Sequence, residues 1–108
     1  MQGNATSGDY PLNNTIDQCI FREIGVYAKH SGAYAEFVAG AARITRNIIF
    51  NVARAGIALN DAMGGGNLLS SNLLFGCVRE SGDHGPVNSW SRQVRKRWWF
   101  GPPLCYVP

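Results

Sequence analysis

Apolar side chains along this chain come in short runs cut by Gly, Asn and Ser, and the richest stretch keeps no simple rhythm. In ITRNIIFNVARAGIALND (residues 44–61), two-residue alternation fails from Asn47 to Phe50, and no helical stripe survives Gly56. The pattern predicts short strands joined by tight bends, with the inward–outward phase reset at each bend.

Self-similarity supplies the bends. TIDQCIFREIG from Thr15, RITRNIIFNVA from Arg43 and LLSSNLLFGCV from Leu68 share one template: apolar-x-x-(Asn/Cys)-x-apolar-x-x-apolar. Its columns are Ile16, Ile44, Leu69; Cys19, Asn47, Asn72; Phe21, Ile49, Leu74; and Ile24, Val52, Cys77, all spaced 28 and then 25 residues apart. A leucine-rich repeat needs a helical return, and none follows any copy. The expected fold is all-β: a right-handed parallel β-helix, a solenoid of about three coils with an atypical C-terminal tail. Residues 1–13 form an N-terminal partial coil or cap, 14–93 the repeats, and 94–108 a basic and aromatic tail. Cys19, Asn47 and Asn72 form a structural ladder at the bend, where Asn tolerates left-handed backbone and bonds buried backbone groups.

The asparagine column and apolar columns resemble right-handed parallel β-helix repeat proteins of the pectin-lyase-like fold. RAGIALNDAMGGGN (residues 54–67) and RESGDHGPVNSWSRQ (residues 79–93) are similar to motifs of a β-helix-domain group of largely unassigned function. The likeness spans about residues 13 to 93. It departs at Ala58 and Leu59, before the Asn60–Asp61 pair, and at Ser91, where that group tends to carry Asp.

Such a stack buries each apolar column only against its neighbours, and about three repeats are the minimum. Two expectations follow: the chain is a piece of a longer β-helix, or it self-associates through exposed strand edges at its ends. With Phe21, Ile49 and Leu74 inward, Ile20, Ile48 and Leu73 face outward beside Phe50 and Phe75, a large apolar stripe for a free surface. A shifted register that buries this stripe is the alternative.

Composition narrows the partners. Hydrophobic residues make up 45% of the 108 and charged residues 16%, which argues against disorder. The net charge of +3 comes entirely from Arg95, Lys96 and Arg97, since residues 1–93 are neutral overall, so a nucleic-acid partner is disfavoured. No apolar run is long enough for a transmembrane segment. Localisation stays open: the start MQGNATSGDY has no signal-peptide character, and a longer form would be the one to carry such a signal. Cys19, Cys77 and Cys105 lack zinc or redox spacing, and Cys19 and Cys77 are expected as buried thiols. The sequons at Asn4 and Asn13 matter only in a secretory pathway.

Candidate chemistry gathers in the turns of the second and third copies. Aligning Gly32, Gly56 and Gly82 puts Tyr34, Ala58 and His84 in one outward column, and Glu36 with Asn60 in the next. Arg54 and Arg79 then form a basic pair near Glu80 and Asp83. The expected catalytic set is His84, Arg79, Asp83 and Asp61; the expected substrate-binding set is Arg54, Asn60, Glu80, Tyr34 and Glu36. A cation neutralises a uronate, a base removes a proton and an acid assists the leaving oxygen, the parts of a polysaccharide lyase or glycoside hydrolase. The same residues also suit a turn held by ion pairs, and His30 reads as a solvated turn residue. No metal or cofactor is expected, with a calcium ion shared by Asp61 and Asp83 as the alternative. The functional expectation is a carbohydrate-associated β-helix module that binds or processes polysaccharide; the rival is a non-catalytic structural or interaction solenoid.

Overall fold

The computed structural model describes residues 11–60, 66–82, 84–90, 98–101 and 105–107. Among them the regular structure is all strand, with no helix. None is therefore long and apolar enough to cross a membrane.

The strands enter three sheets in rotation. The first sheet takes β1 (Thr15–Asp17), β4 (Arg43–Thr45), β7 (Asn67–Ser70) and β10 (Trp98–Gly101). The second takes β2 (Ile20–Ile24), β5 (Ile48–Val52), β8 (Leu73–Phe75) and β11 (Cys105–Val107), and the third β3 (Tyr34–Phe37), β6 (Ile57–Asn60) and β9 (Val87–Trp90). Every pairing between these strands is parallel. Parallel neighbours cannot be joined by a hairpin, so each strand reaches its partner only after the chain has passed through the other two sheets.

The columns expected in the first two sheets lie in register: Ile16 on Ile44 on Leu69, and Phe21 on Ile49 on Leu74. One core collects Ile44 and Leu69 from the first sheet, Ile49, Val52 and Leu74 from the second, and Tyr34, Ile57 and Leu59 from the third. The outward stripe also stands as the unshifted register requires: Ile20 is 67% exposed, with Ile48 and Leu73 exposed beside it and Phe50 stacked on Phe75 at 4.9 Å. The C-terminal tail continues the sheets. Its strands β10 and β11 lengthen the first two sheets, Phe100 pairing with Leu69 and Tyr106 with Leu74.

Bends between sheets repeat as faithfully as the strands. Left-handed backbone recurs at Gln18, Arg46 and Ser71 (φ 54°, 54° and 56°), at Glu23, Asn51 and Gly76, and at Asn13, Ala41 and Gly66. Each non-glycine costs about 1–2 kcal/mol in that conformation, so compensating bonds are needed. After Arg46, the Asn47 Oδ1 accepts the Cys19 N–H at 2.9 Å, while its Nδ2 donates to the Ile16 carbonyl at 3.1 Å and to Asn72 Oδ1 at 3.0 Å. Asn72 Nδ2 donates in turn to the Ile44 carbonyl at 2.7 Å. Asn67, after left-handed Gly66, does the same at another bend, its Oδ1 accepting the Ala42 N–H at 2.9 Å. Cys19 and Cys77 are half-buried rather than enclosed; burial pushes the Cys77 thiol up despite a backbone bond at Gly56.

On the outer face of the first sheet, Asp17 Oδ1 accepts from Thr45 Oγ1 at 2.6 Å and from Arg46 Nε at 2.9 Å, and Arg46 Nη2 also reaches Oδ2. Bonding from Arg46, then from Thr45, holds the Asp17 carboxyl below its ordinary value of 3.8. A depressed folded value contributes stability above the unfolded value and loses it as pH falls through the folded one. Asp17→Asn should therefore flatten the decline in melting temperature below about pH 4, as thermal melts across acidic pH will show. Asn47→Ala should cost on the order of 3 kcal/mol in chemical denaturation, because the half-buried Cys19 N–H and Ile16 carbonyl lose a partner and the buried Asn72 Oδ1 keeps only the Asn47 N–H.

Candidate functional site

The third sheet repeats with a different spacing. Tyr34 pairs with Ile57, 23 residues on, and Ile57 with Val87, a further 30. The loops preceding its strands explain the difference: residues 25–33 and 76–86 are long, residues 53–56 short. The column expected from the glycine alignment (Tyr34, Ala58, His84) does not form: Ala58 is one residue past Tyr34's partner Ile57, a slip that exchanges the two faces of a strand, and His84 lies in the loop four residues before Ala58's partner Asn88. The inward columns are Tyr34–Ile57–Val87 and Glu36–Leu59–Ser89; the outward ones are Ala35–Ala58–Asn88 and Phe37–Asn60–Trp90.

Tyr34 and Glu36, expected on the outer face, therefore lie inside. Glu36 is fully buried, its Oε2 accepting from the Tyr34 hydroxyl at 2.9 Å and its Oε1 from Asn67 Nδ2 at 3.0 Å. Burial, and then the neighbouring Glu36, push the Tyr34 phenol far up. The pair joins the third sheet to the first.

Outside, the third sheet carries a trough of about 580 Å³. Ala35 and Ala58 keep its floor low, and Asn88 continues it. One bank comes from the loops preceding the strands. Arg54, on the short loop, stands between imidazoles from the two long ones: Nη2 donates to His84 Nε2 at 2.9 Å and Nη1 to His30 Nδ1. Ser81 Oγ meets His84 Nδ1 at 3.0 Å. The other bank is formed by Phe37, 43% exposed, and Asn60; their register partner Trp90, 68% exposed, continues that column beyond the lining of the trough. Asn60 thus faces outward as expected, and no carboxylate lines the trough among the described residues.

The expected Arg54–Arg79 pair is not assembled at this trough. Arg79 and Glu80 line a different cleft of about 390 Å³, with Glu23, Lys29 and Asn51. There Lys29 Nζ meets Glu80 at 2.8 Å, an exposed pair worth little to stability. Asp61 and Asp83, and the calcium ion considered between them, lie outside the described residues. Among the described residues no cluster of three metal-ligating side chains occurs. Sequence reasoning missed three trough residues, His30, Phe37 and Asn88, and the neighbouring Trp90. Their signal was the odd spacing of the third sheet, which no single period exposes.

Compared with known proteins, the chain matches no family model, no curated protein and no solved structure.

A guanidinium only donates, so each imidazole nitrogen facing Arg54 must carry its lone pair. In neutral form, His84 then bears its proton on Nδ1 and His30 on Nε2. Long-range nitrogen–proton correlation spectra at neutral pH should show these opposite tautomers, and Arg54→Ala should abolish the contrast.

Proposed function

We propose that the chain is a carbohydrate-associated module of right-handed parallel β-helix type, similar to the pectin-lyase-like fold, that holds an extended polysaccharide in the trough of the third sheet. The fixed rotation of the chain through three parallel sheets around one core supports this architecture, and parallel crossovers are overwhelmingly right-handed. The asparagine bonds at successive bends support a ladder.

One observation carries the binding role: the lining of the trough draws on all three strands of the third sheet, with a cationic and imidazole bank, a floor of Ala35, Ala58 and Asn88, and a bank of Phe37 and Asn60. Such a channel suits a polymer better than a compact metabolite. Arg54 supplies a fixed positive charge for acidic sugars, and Asn60 and Asn88 supply hydrogen bonds in both directions. Binding is favoured over lyase or hydrolase chemistry because the His84 Nε2 lone pair already accepts from Arg54. The second reading, a scaffold assembling through its strand edges, draws on the exposed stripe of Ile20, Ile48 and Leu73.

Affinity electrophoresis against neutral and acidic polysaccharides tests the proposal. The protein should be retarded by at least one of them without generating unsaturated or reducing ends. Ala58→Trp, which fills the floor, should weaken that binding at least about tenfold with little change in melting temperature. Unsaturated ends that vanish with His84→Ala would replace binding by a lyase role.

A further inference from the structure

The aromatic bank says more about the ligand than the basic one. Phe37, Asn60 and Trp90 are register partners on three successive strands, so their side chains leave the same face of the sheet. Neighbouring strands lie ~4.8 Å apart, close to the length of one hexopyranose along an extended chain. Phe37 and Trp90 are therefore two sugar units apart, with an amide opposite the unit between them. A β-1,4-linked gluco-configured chain is close to a two-fold screw: every second ring presents the same side, and its equatorial substituents leave the ring faces apolar. An aromatic–amide–aromatic sequence at that interval matches this symmetry. Phe37 is 43% and Trp90 68% exposed, so both side chains are open to a ligand face. Ala35 and Ala58, in the adjacent column, leave room for the rings to lie flat.

We propose that the ligand is a β-1,4-linked, gluco-configured glycan lying across the strands with one ring per layer, its apolar faces stacked on Phe37 and Trp90 and its middle ring hydrogen-bonded to Asn60. The inference rests on the binding role proposed above and adds linkage, ring configuration and orientation to it. Chains with axial linkages or axial ring oxygens do not return the same flat face after two units, and the bank discriminates against them.

Calorimetric titration of the full chain with β-1,4-linked gluco-oligosaccharides of two to six units provides the test, with α-1,4-linked galacturonate oligomers as the comparison. Affinity for the gluco series should rise steeply from the dimer to the trimer, the shortest chain that reaches both aromatics, and only slowly thereafter. Phe37→Ala and Trp90→Ala should each weaken the trimer about tenfold, Trp90→Phe should restore most of the loss, and chemical denaturation should show all three variants near wild-type stability. Galacturonate oligomers bound as tightly as the gluco series, or trimer binding indifferent to both alanine variants, would overturn the inference while leaving glycan binding intact. Failure of every polysaccharide and oligosaccharide to bind would overturn the binding role itself.

Discussion

The carboxamide of Asn47 is the contact on which the rest of the architecture turns. It sits in the bend between the first and second sheets, where the preceding residue is forced into left-handed backbone. The side chain answers backbone groups of the layer on one side and the carboxamide of the layer on the other. A bend that satisfies itself this way must fall at the same point in every round of the chain. That requirement holds Ile44 over Leu69 and Ile49 over Leu74, and so decides which side chains become core. Aliphatic burial provides most of the favourable free energy, while the amides select the register in which it is collected. Asn67 and Glu36 extend the arrangement to the third sheet, where two neutral donors keep a buried carboxyl group bonded.

What could be read from the chain follows from where its spacing is constant. In the first two sheets every copy keeps the same offsets, because the bend between them is pinned by Asn47 and Asn72, and the columns are legible without coordinates. In the third sheet the offsets change to 23 and 30. Matching Gly32 with Gly56 and Gly82 assumed loops of one length and moved Tyr34 and Glu36 to the wrong face. Gly32 itself shows the limit of such matching. Its place is set by close approach, since an added Cβ would lie 2.5 Å from the Ala55 carbonyl oxygen, whereas a Cβ on Gly82 would meet nothing within 4 Å. Similar letters answer different constraints there.

The trough arises from the same unequal loops. Two long connections flank a short one, so residues distant in sequence reach over Arg54 from either side and enclose it with imidazoles. The arginine gives up part of its hydrogen-bonding capacity to that clasp, which fixes the direction of its guanidinium. Arg79, by contrast, lines a separate cleft together with Lys29, Glu23 and Glu80. Two arginines with similar local sequence thus acquire different electrostatic settings from the lengths of the segments that carry them.

One corner of each round is pinned by buried amides, while the segments leading into the third sheet vary in length from layer to layer. Residues 25–33 and 76–86, unlike the largely buried 53–56, leave from strands whose order is already secured by buried amides and aliphatic side chains. Length and composition can change there with modest entropic cost, while the hydrocarbon interior keeps its packing. Selection, natural or in the laboratory, therefore has two connections to rebuild without renegotiating stability, and loops grafted there are the route by which this scaffold would acquire a ligand.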